Sequence, residues 1–323
     1  MFVKRINKDV FSWSPALNGI AIGRSLVALA QISILLFTNP ENLFPKTISS
    51  DAGPQCGSPA SKISAYCIFG DAIPLLWINI LLIFFLIIIL VGYRPRVTGI
   101  LHFWVSVSIS SAIVLPDGGD AVAQIVTLLL IPICIADDRK WQWKIPKCHS
   151  SSFIKGVSWA FHWGIKIQIS YIYLNSAIAK IGVPSWSEGS AVYYVMRGEM
   201  FGANVFLSPI VYWLTDFAVV SLVLTWGTII LELLLGVLLL IPTRSSAQCA
   251  VFIGWSLHTA IIVFMGLFSF GFIMLGALLI ANARNFDPVL FWIDFSSKLS
   301  SFKRNVKMKI SNDFKTDLKQ EAL

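Results

Sequence analysis

The chain has 323 residues, of which 56% are hydrophobic and only 13% are charged. Soluble proteins carry nearer 45–50% apolar and about 25% charged residues, so this composition excludes a water-soluble globular protein. The formal net charge of +8 does not indicate a nucleic-acid partner, because the basic residues lie between long apolar blocks, where they set the orientation of a membrane protein.

Eight apolar blocks follow one another along the chain, and we predict that each one is a transmembrane helix. Most hold about 17–25 residues, the length that crosses a bilayer about 30 Å thick. The fourth and eighth blocks are short, so a re-entrant segment stays open as an alternative for each. The predicted fold is an all-α, polytopic transmembrane bundle of about eight helices. The blocks cover residues 15–37, 72–92, 97–115, 120–136, 156–180, 217–241, 246–265 and 267–283.

Lysine and arginine are concentrated in alternate connecting segments. The rich set includes residues 4–8, 94–96, 139–155 and the segment after Arg284, whereas the poor set carries single basic residues such as Lys62. Basic segments face the cytoplasm in most membrane proteins. We therefore predict a multi-pass cell-membrane protein with both termini cytoplasmic, as an even number of helices requires.

Two of the five cysteines fall in the first predicted external loop. Cys56 and Cys67 lie within residues 39–70, a segment interrupted by prolines and glycines. An external pair in such a loop predicts a disulfide, with two free thiols as the alternative. The other three, Cys134, Cys148 and Cys249, fall at predicted cytoplasmic helix ends and are expected to stay reduced. The spacing of cysteine and histidine predicts no metal site.

A polar stripe runs along the apolar helix predicted at 156–180. Its members recur at offsets of 4, 7, 3 and 4 residues, which places them on one helical face. Such a stripe must face other helices or a wet cavity, because lipid cannot satisfy it. Asn175 lies off this face and is expected to bond a neighbouring helix. The stripe consists of His162, Lys166, Tyr173, Ser176 and Lys180.

Lys180 ends this helix on the predicted external side, and two interpretations stay open. It either snorkels to the lipid headgroups or lies in a semi-dry pocket and serves as a general base. Glu232 interrupts an uncharged apolar helix and needs a partner, for which Arg24, Lys166 and His258 are candidates.

Two other polar residues inside apolar blocks each leave several interpretations open. His258 either bonds a backbone carbonyl or lines a site. Arg24 pairs with Asp117, Asp120 or Glu232, or binds a lipid phosphate. The residue types alone do not choose among these.

The segment 181–209 carries aromatic and charged residues, including Trp186, Glu188 and Arg197. Its tryptophan and tyrosines fit an interfacial aromatic belt, and Glu188 with Gly189 after Trp186 predicts a turn of fixed geometry. Walker, dinucleotide-binding, HExxH and GxSxG signatures are absent from the sequence.

Residues 287–323 differ in composition from the rest of the chain. Apolar residues recur at helical spacing from Phe295 to Ile310, and lysines and arginines fill much of the remainder. This pattern predicts a basic amphipathic helix on the cytoplasmic leaflet, with a solvated tail as the alternative. The predicted domains are a membrane domain at 1–286 and this tail.

The sequence YLNSAIAKI at 173–181, followed by WSEGSA at 186–191, resembles the hallmark of the HTTM domain. This membrane module is shared by vitamin K-dependent γ-glutamyl carboxylases and many bacterial proteins. Glu232, His258 and the aromatic segment 264–272 follow in similar order. The resemblance covers roughly residues 11–286 and is specific over 159–286.

The resemblance implies that Lys180 corresponds to the base that deprotonates reduced vitamin K, with a reduced isoprenoid quinone as the implied cofactor. Ala179 stands where the carboxylase has a second lysine, and we expect no large lumenal domain. What carries over is therefore the scaffold with an outward pocket, rather than carboxylation. The implied catalytic residues are Lys180, Glu232 and His258. The implied substrate-binding residues are Tyr173, Asn175, Trp186, Glu188 and Arg197.

Within that family, this chain resembles in size the members from bacilli that mature an exported sporulation-delaying peptide toxin. The implied partners are an SdpA-like protein, an SdpC-like toxin precursor and membrane lipid. Two other functions stay open: a quinone-dependent oxidoreductase or carboxylase, and a transporter or immunity protein. Paired broken helices of the kind found in transporters are not evident in the sequence.

Overall fold

The computed structural model describes residues 9–46, 52–70, 72–113, 118–144, 151–199, 201–293 and 296–297. Within these ranges the chain is helical, apart from turns and one isolated antiparallel bridge between Tyr93 and Trp141. The fold is therefore an all-α bundle, as predicted. The predicted amphipathic helix of the tail falls almost wholly outside the described residues, as do Asp117 and Cys148.

The helices are numbered in chain order. They are α1 (Asn18–Phe37), α2 (Pro40–Leu43), α3 (Pro59–Lys62), α4 (Ala65–Phe69), α5 (Leu75–Leu90), α6 (Pro95–Ala112), α7 (Gly118–Ile135), α8 (Ser152–Ile181), α9 (Pro184–Ser187), α10 (Ala191–Met196), α11 (Ser208–Thr215), α12 (Ala218–Leu240), α13 (Arg244–Met265) and α14 (Phe268–Asn282).

Each of the eight predicted apolar blocks overlaps one long helix, namely α1, α5, α6, α7, α8, α12, α13 or α14. In the described part of the chain, α1, α7, α12 and α13 are long and apolar enough to cross a bilayer. The helices α5 and α14 are apolar but shorter. Four to six helices thus fit a membrane protein, and a total of eight spans stays a prediction.

Local signals in the sequence fix the ends of the helices that form the site. The hydroxyl of Ser151 caps α8 by accepting the Ile154 N–H, and the hydroxyl of Thr243 caps α13 by accepting the Ser246 N–H. Both are standard N-cap interactions. At its other end α13 stops at Gly266, whose φ of 75° is a conformation that favours glycine. The chain can therefore turn back at once into α14.

The helices α1 and α14 approach each other closely, because glycines face each other at the crossing. A Cβ atom on Gly23 would lie 2.5 Å from the Gly276 carbonyl oxygen, and one on Gly276 would lie 2.6 Å from the Gly23 carbonyl oxygen. Small residues let membrane helices approach this closely. The helix α1 also separates two apolar cores, one shared with α7, α8 and α12–α14 and the other with α5 and α6.

The loop after α1 has more regular structure than its proline and glycine content indicated, since it contains α2, α3 and α4. A disulfide joins Cys56 to Cys67. The buried Tyr66 hydroxyl donates to Asn79 Oδ1 of α5 at 2.6 Å. Burial raises the pKa of the Tyr66 hydroxyl above its usual range, so it stays a neutral donor that holds the loop against α5.

Arg24 lies buried within α1. Of its predicted carboxylate partners, Asp117 lies outside the described residues, and the pairing with Asp120 or Glu232 was wrong. Its guanidinium donates to Thr98 Oγ1 at 2.5 Å and to Gln142 Oε1 at 3.4 Å. Glu232 bonds elsewhere, to Lys180. Arg24 therefore ties α1 to α6 and to the segment after α7 through neutral acceptors.

Candidate functional site

The predicted polar stripe of α8 faces the interior of the bundle. Lys166 and Tyr173 are buried, and Ser176 and Lys180 are half-buried. His162 is also buried, and its Nε2 lies 3.0 Å from the Ile280 carbonyl oxygen of α14. The stripe therefore contacts α14 at one end of α8, and α13 and α12 toward the other end.

An ion pair with Glu232 of α12 fixes the position of Lys180. The Lys180 Nζ lies 2.7 and 2.8 Å from the two carboxylate oxygens, and 2.6 Å from the Ser176 hydroxyl one turn earlier. The Lys180 side chain is 20% exposed and that of Glu232 is 12% exposed. The amine is therefore neither free in the headgroup region nor enclosed on every side.

The pairing follows from the register of two antiparallel helices. The Ser170 hydroxyl donates to the Gly236 carbonyl oxygen at 2.7 Å, and a Cβ on Gly236 would lie 2.5 Å from the Leu174 side chain. This close crossing brings Glu232 beside Lys180. Lys180 was not among the three partners predicted for Glu232, because sequence alone does not give the register between α8 and α12.

The contacts of Lys180 decide what its amine can do. An ammonium group has three N–H donors, and here three acceptor atoms surround it. These contacts place the Lys180 amine directly against the Glu232 carboxylate, so any proton transfer at this site involves both groups.

A second pair lies one layer further into the bundle. The Tyr173 hydroxyl is 2.7 Å from His258 Nε2 of α13, and the Phe270 ring packs edge-on against the His258 ring at 5.5 Å. The His258 prediction thus resolves to a side-chain partner rather than to a carbonyl. Within the described residues, His258 Nδ1 is buried without a hydrogen-bond partner.

The two pairs belong to one cluster, because Tyr173 and Lys180 lie two turns apart on the same face of α8. We call Tyr173, Lys180, Glu232 and His258 the polar cluster. It combines a phenol, an amine, a carboxylate and an imidazole from three helices, which are groups that hold and transfer protons.

The segment after α8 places Trp186 against the cluster. Lys180 Nζ lies 5.2 Å from the Trp186 ring centroid, within the range of a cation–π contact. Gly189, with a φ of 82°, forms the predicted turn, and a Cβ there would collide with Leu222 of α12. Glu188 is exposed beside this turn. These contacts fix the short helix α9 over the end of α8.

The structure does not place the remaining two predicted residues in the cluster. Arg197 stabilises its own hairpin, since its guanidinium donates to Asp216 Oδ1 at 2.7 Å and to Thr215 Oγ1 at 2.8 Å and stacks on two tyrosines. Asn175 is exposed on α8, so it does not turn to a neighbouring helix as predicted. Ser176 was predicted to lie on the stripe but not to be a site residue, yet its hydroxyl contacts the Lys180 amine directly.

The described residues contain no group of three or more metal-ligating side chains. The cavities around Arg94 and around Arg24 do not include Lys180. With the Lys180 side chain 20% exposed and that of Glu232 12% exposed, the polar cluster is a half-open contact site between helices.

Comparison with known proteins identifies the family. Over 275 residues the chain is 31% identical to the sporulation-delaying protein SdpB of Bacillus subtilis strain 168. The aligned region covers 83% of this chain and 82% of SdpB. The chain belongs to the SdpB-like family.

A second relative of this SdpB-like chain is the uncharacterized protein YitO of the same strain. It is 29% identical over 290 residues, covering 86% of this chain and 90% of YitO. No family model matches the chain, so the HTTM assignment stays a prediction. No solved structure matches it either. Both alignments span most of each protein, so the similarity extends over most of the described helices.

Proposed function

We propose that this chain is a membrane factor that matures an exported sporulation-delaying peptide. Its relationship to SdpB supports a role in the sporulation-delaying protein system. In this proposal it works with an SdpA-like protein on an SdpC-like precursor at the outer face of the cell membrane. We further propose that its bundle is of the HTTM kind, on the motifs at 173–181 and 186–191.

One observation carries this proposal: the half-open polar cluster lies where α8 ends, next to the exposed turn at Glu188. Helix directions alternate along the bundle, so this end is also the end of the loop that holds the Cys56–Cys67 disulfide. Disulfides persist in oxidising compartments. A precursor emerging outside the cell would therefore meet Trp186, Glu188 and the Lys180–Glu232 pair.

In this proposal these residues bind the precursor peptide and do not react with it. The exposed Glu188 carboxylate and the half-buried Trp186 ring offer a peptide one charged and one aromatic contact. The Lys180–Glu232 pair presents an ammonium and a carboxylate, so it can exchange its internal bonds for bonds to a peptide backbone. Binding of this kind orders the precursor for cleavage, and it needs no covalent step on this chain.

The experiment compares toxin production by cells carrying Lys180→Gln, Glu232→Gln or His258→Gln. Precursor, mature toxin and the amount of the variant in the membrane are measured together. Two control variants, Lys62→Gln and Tyr171→Phe, alter exposed side chains away from the cluster. We expect the precursor to accumulate in the three cluster variants at normal membrane levels, and the controls to produce toxin normally.

Two results would contradict this proposal. Full toxin yield from all three cluster variants would reject the site. Deletion of the gene that leaves maturation intact but makes the cells sensitive to toxin would show immunity instead, and would reject the function.

A second candidate function is quinone-dependent modification of the peptide. The observation in its favour is an apolar flank beside Lys180, where Ile178 and Ile181 are exposed on α8. This flank fits a polyprenyl chain, and Lys180 and Glu232 fit a quinone head as hydrogen-bonding groups; a bound quinone would supply redox chemistry. Mass spectrometry of the mature toxin decides: a mass explained by cleavage and a disulfide alone removes this candidate.

A further inference from the structure

A basic, open cavity of about 270 Å³ lies at the other end of the bundle from Lys180, and the Arg94, Arg96 and Lys140 side chains that line it are exposed. It lies between the turn that joins α5 to α6 and the segment that follows α7. It shares no residue with the polar cluster. Its lining residues are Arg94, Arg96, Val97, Asp138, Arg139 and Lys140.

Backbone contacts hold the two sides of this cavity together. The Arg94 N–H donates to the Lys140 carbonyl oxygen at 2.8 Å, and the Gln142 N–H donates to the Gly92 carbonyl oxygen at 2.9 Å. Tyr93 and Trp141 form the antiparallel bridge between them. The four basic side chains are therefore brought together by a fixed backbone frame and not by chance proximity of mobile loops.

Arg94 adopts a conformation that arginine rarely has. Its φ is 39°, and among the described residues it is the only non-glycine with a positive φ. It lies directly before Pro95, the first residue of α6. Strained residues of this kind persist where surrounding contacts hold them, and they cluster at ligand-binding and active sites.

The charges of the cavity are only partly neutralised within the protein. Arg139 is paired with Asp137 at 2.7 Å, and Asp138 lines the cavity. Four basic side chains against these two carboxylates leave an excess of two positive charges. The Arg96 Nε donates to the Ile135 carbonyl oxygen at 2.9 Å, which orients its guanidinium and leaves its terminal amino groups available.

The surface around the cavity indicates where its ligand comes from. Val97 and Ile100 on the adjoining turn of α6 are 59% and 52% exposed. The exposed Trp143 ring donates to the Val91 carbonyl oxygen, and tryptophan is enriched at membrane interfaces. The cavity thus adjoins exposed apolar surface of the kind that faces lipid. Its volume lies below the roughly 300–1,000 Å³ of pockets for larger ligands and suits a single phosphate ester.

We propose that this cavity binds the phosphate of an anionic phospholipid headgroup, with Arg94, Arg96 and Lys140 as its principal ligands. Guanidinium and ammonium groups bind phosphate oxygens through charge-assisted hydrogen bonds. The N-terminus of α6 adds a favourable dipole at the same place. Basic pockets between transmembrane helices bind lipid headgroups in the same way.

The experiment measures binding of phosphatidylglycerol to the purified full chain in phosphatidylcholine nanodiscs. The test variant carries Arg96→Gln and Lys140→Gln, and Lys140→Gln alone serves as a second variant that leaves the Ile135 contact intact. The control variant carries Lys144→Gln and Arg244→Gln, which remove two exposed charges outside the cavity. Inorganic phosphate is titrated in a separate arm, and thermal unfolding is recorded for every variant.

We expect binding of phosphatidylglycerol to be at least about tenfold weaker in the double cavity variant, measurably weaker with Lys140→Gln alone, and within about twofold of the original chain in the control. Equal losses in the cavity and control variants would show bulk electrostatic attraction and overturn the proposal. Binding of inorganic phosphate without preference for the lipid would overturn the assignment to a phospholipid.

Discussion

Lys180 of α8 and Glu232 of α12 form one unit, in which the ammonium donates to both carboxylate oxygens at 2.8 and 2.7 Å. Each charge lies on an apolar helix and is stabilised by the other. This relationship explains how Glu232 is tolerated within α12, and it makes the stability of the bundle depend on both residues together.

The first prediction concerns this coupling. Lys180→Met leaves a mostly buried carboxylate without its cation, so we expect a loss of about 3 kcal/mol in the free energy of unfolding, the lower end of the range for a broken buried pair. Adding Glu232→Gln to this variant should restore part of that loss, because the unpaired charge is removed. Denaturant titration in detergent micelles measures both. Purely additive losses would contradict the coupling.

The second prediction concerns the bond between Tyr173 and His258. Tyr173→Phe removes the hydroxyl and leaves Nε2 of a buried imidazole unpaired, so we expect a loss of about 1–3 kcal/mol in stability. Tyr171→Phe is the matched control, because Tyr171 lies two residues away on α8 and is 59% exposed. Thermal unfolding of both variants provides the measurement. Equal behaviour of the two variants would argue against a structural role for the hydroxyl.

The third prediction concerns the crossing of α1 with α14. Gly276→Ala puts a methyl group against the Gly23 carbonyl oxygen, so we expect overpacking to cost roughly 1–3 kcal/mol. Gly227→Ala is the control, since a Cβ there has nothing within 4 Å, and alanine favours a helix over glycine by about 1 kcal/mol. Unfolding in micelles should therefore shift in opposite directions for the two variants. A stabilised Gly276→Ala would show that the close approach is unimportant.

Much of the fold was accessible from the sequence, because apolar length and helical periodicity are local properties. The predicted block 217–241 contains α12 at Ala218–Leu240, and the block 97–115 begins within α6 at Pro95–Ala112. The stripe on α8 was also predictable, since residues three or four positions apart share a face. The internal helices of the loop at 39–70 were not predicted, because they are short and depend on contacts with α5 and α6.

The contacts within the site were less accessible. Pairing of Lys180 with Glu232, and of Tyr173 with His258, depends on the register between helices far apart in sequence. That register is set by tight contacts such as Ser170 with Gly236, which periodicity does not report. Arg197 and Trp186 were both predicted as site residues because they lie in the same aromatic and charged segment. Trp186 contacts Lys180, whereas Arg197 bonds within its own hairpin.

The fourth prediction concerns orientation. With Cys148 and Cys249 replaced by serine, Lys62→Cys should react with a membrane-impermeant maleimide in intact cells, because its loop is predicted to be external. Lys144→Cys, at the opposite end of the bundle, should react only after the membrane is permeabilised. Labelling is read by a mass shift on a gel. Reaction of Lys144→Cys in intact cells would reverse the predicted topology and would place the Lys180 end inside the cell.

The most direct measurement is photo-crosslinking of the toxin precursor to this chain in living cells. A photoreactive phenylalanine analogue replaces Ser187, exposed next to the polar cluster, and in a control strain it replaces Phe153, exposed at the other end of α8. We expect a crosslink to the precursor from position 187 and none from position 153. Precursor captured equally from both positions, or from neither while toxin is still produced, would contradict recognition of the precursor at Lys180 and Glu232.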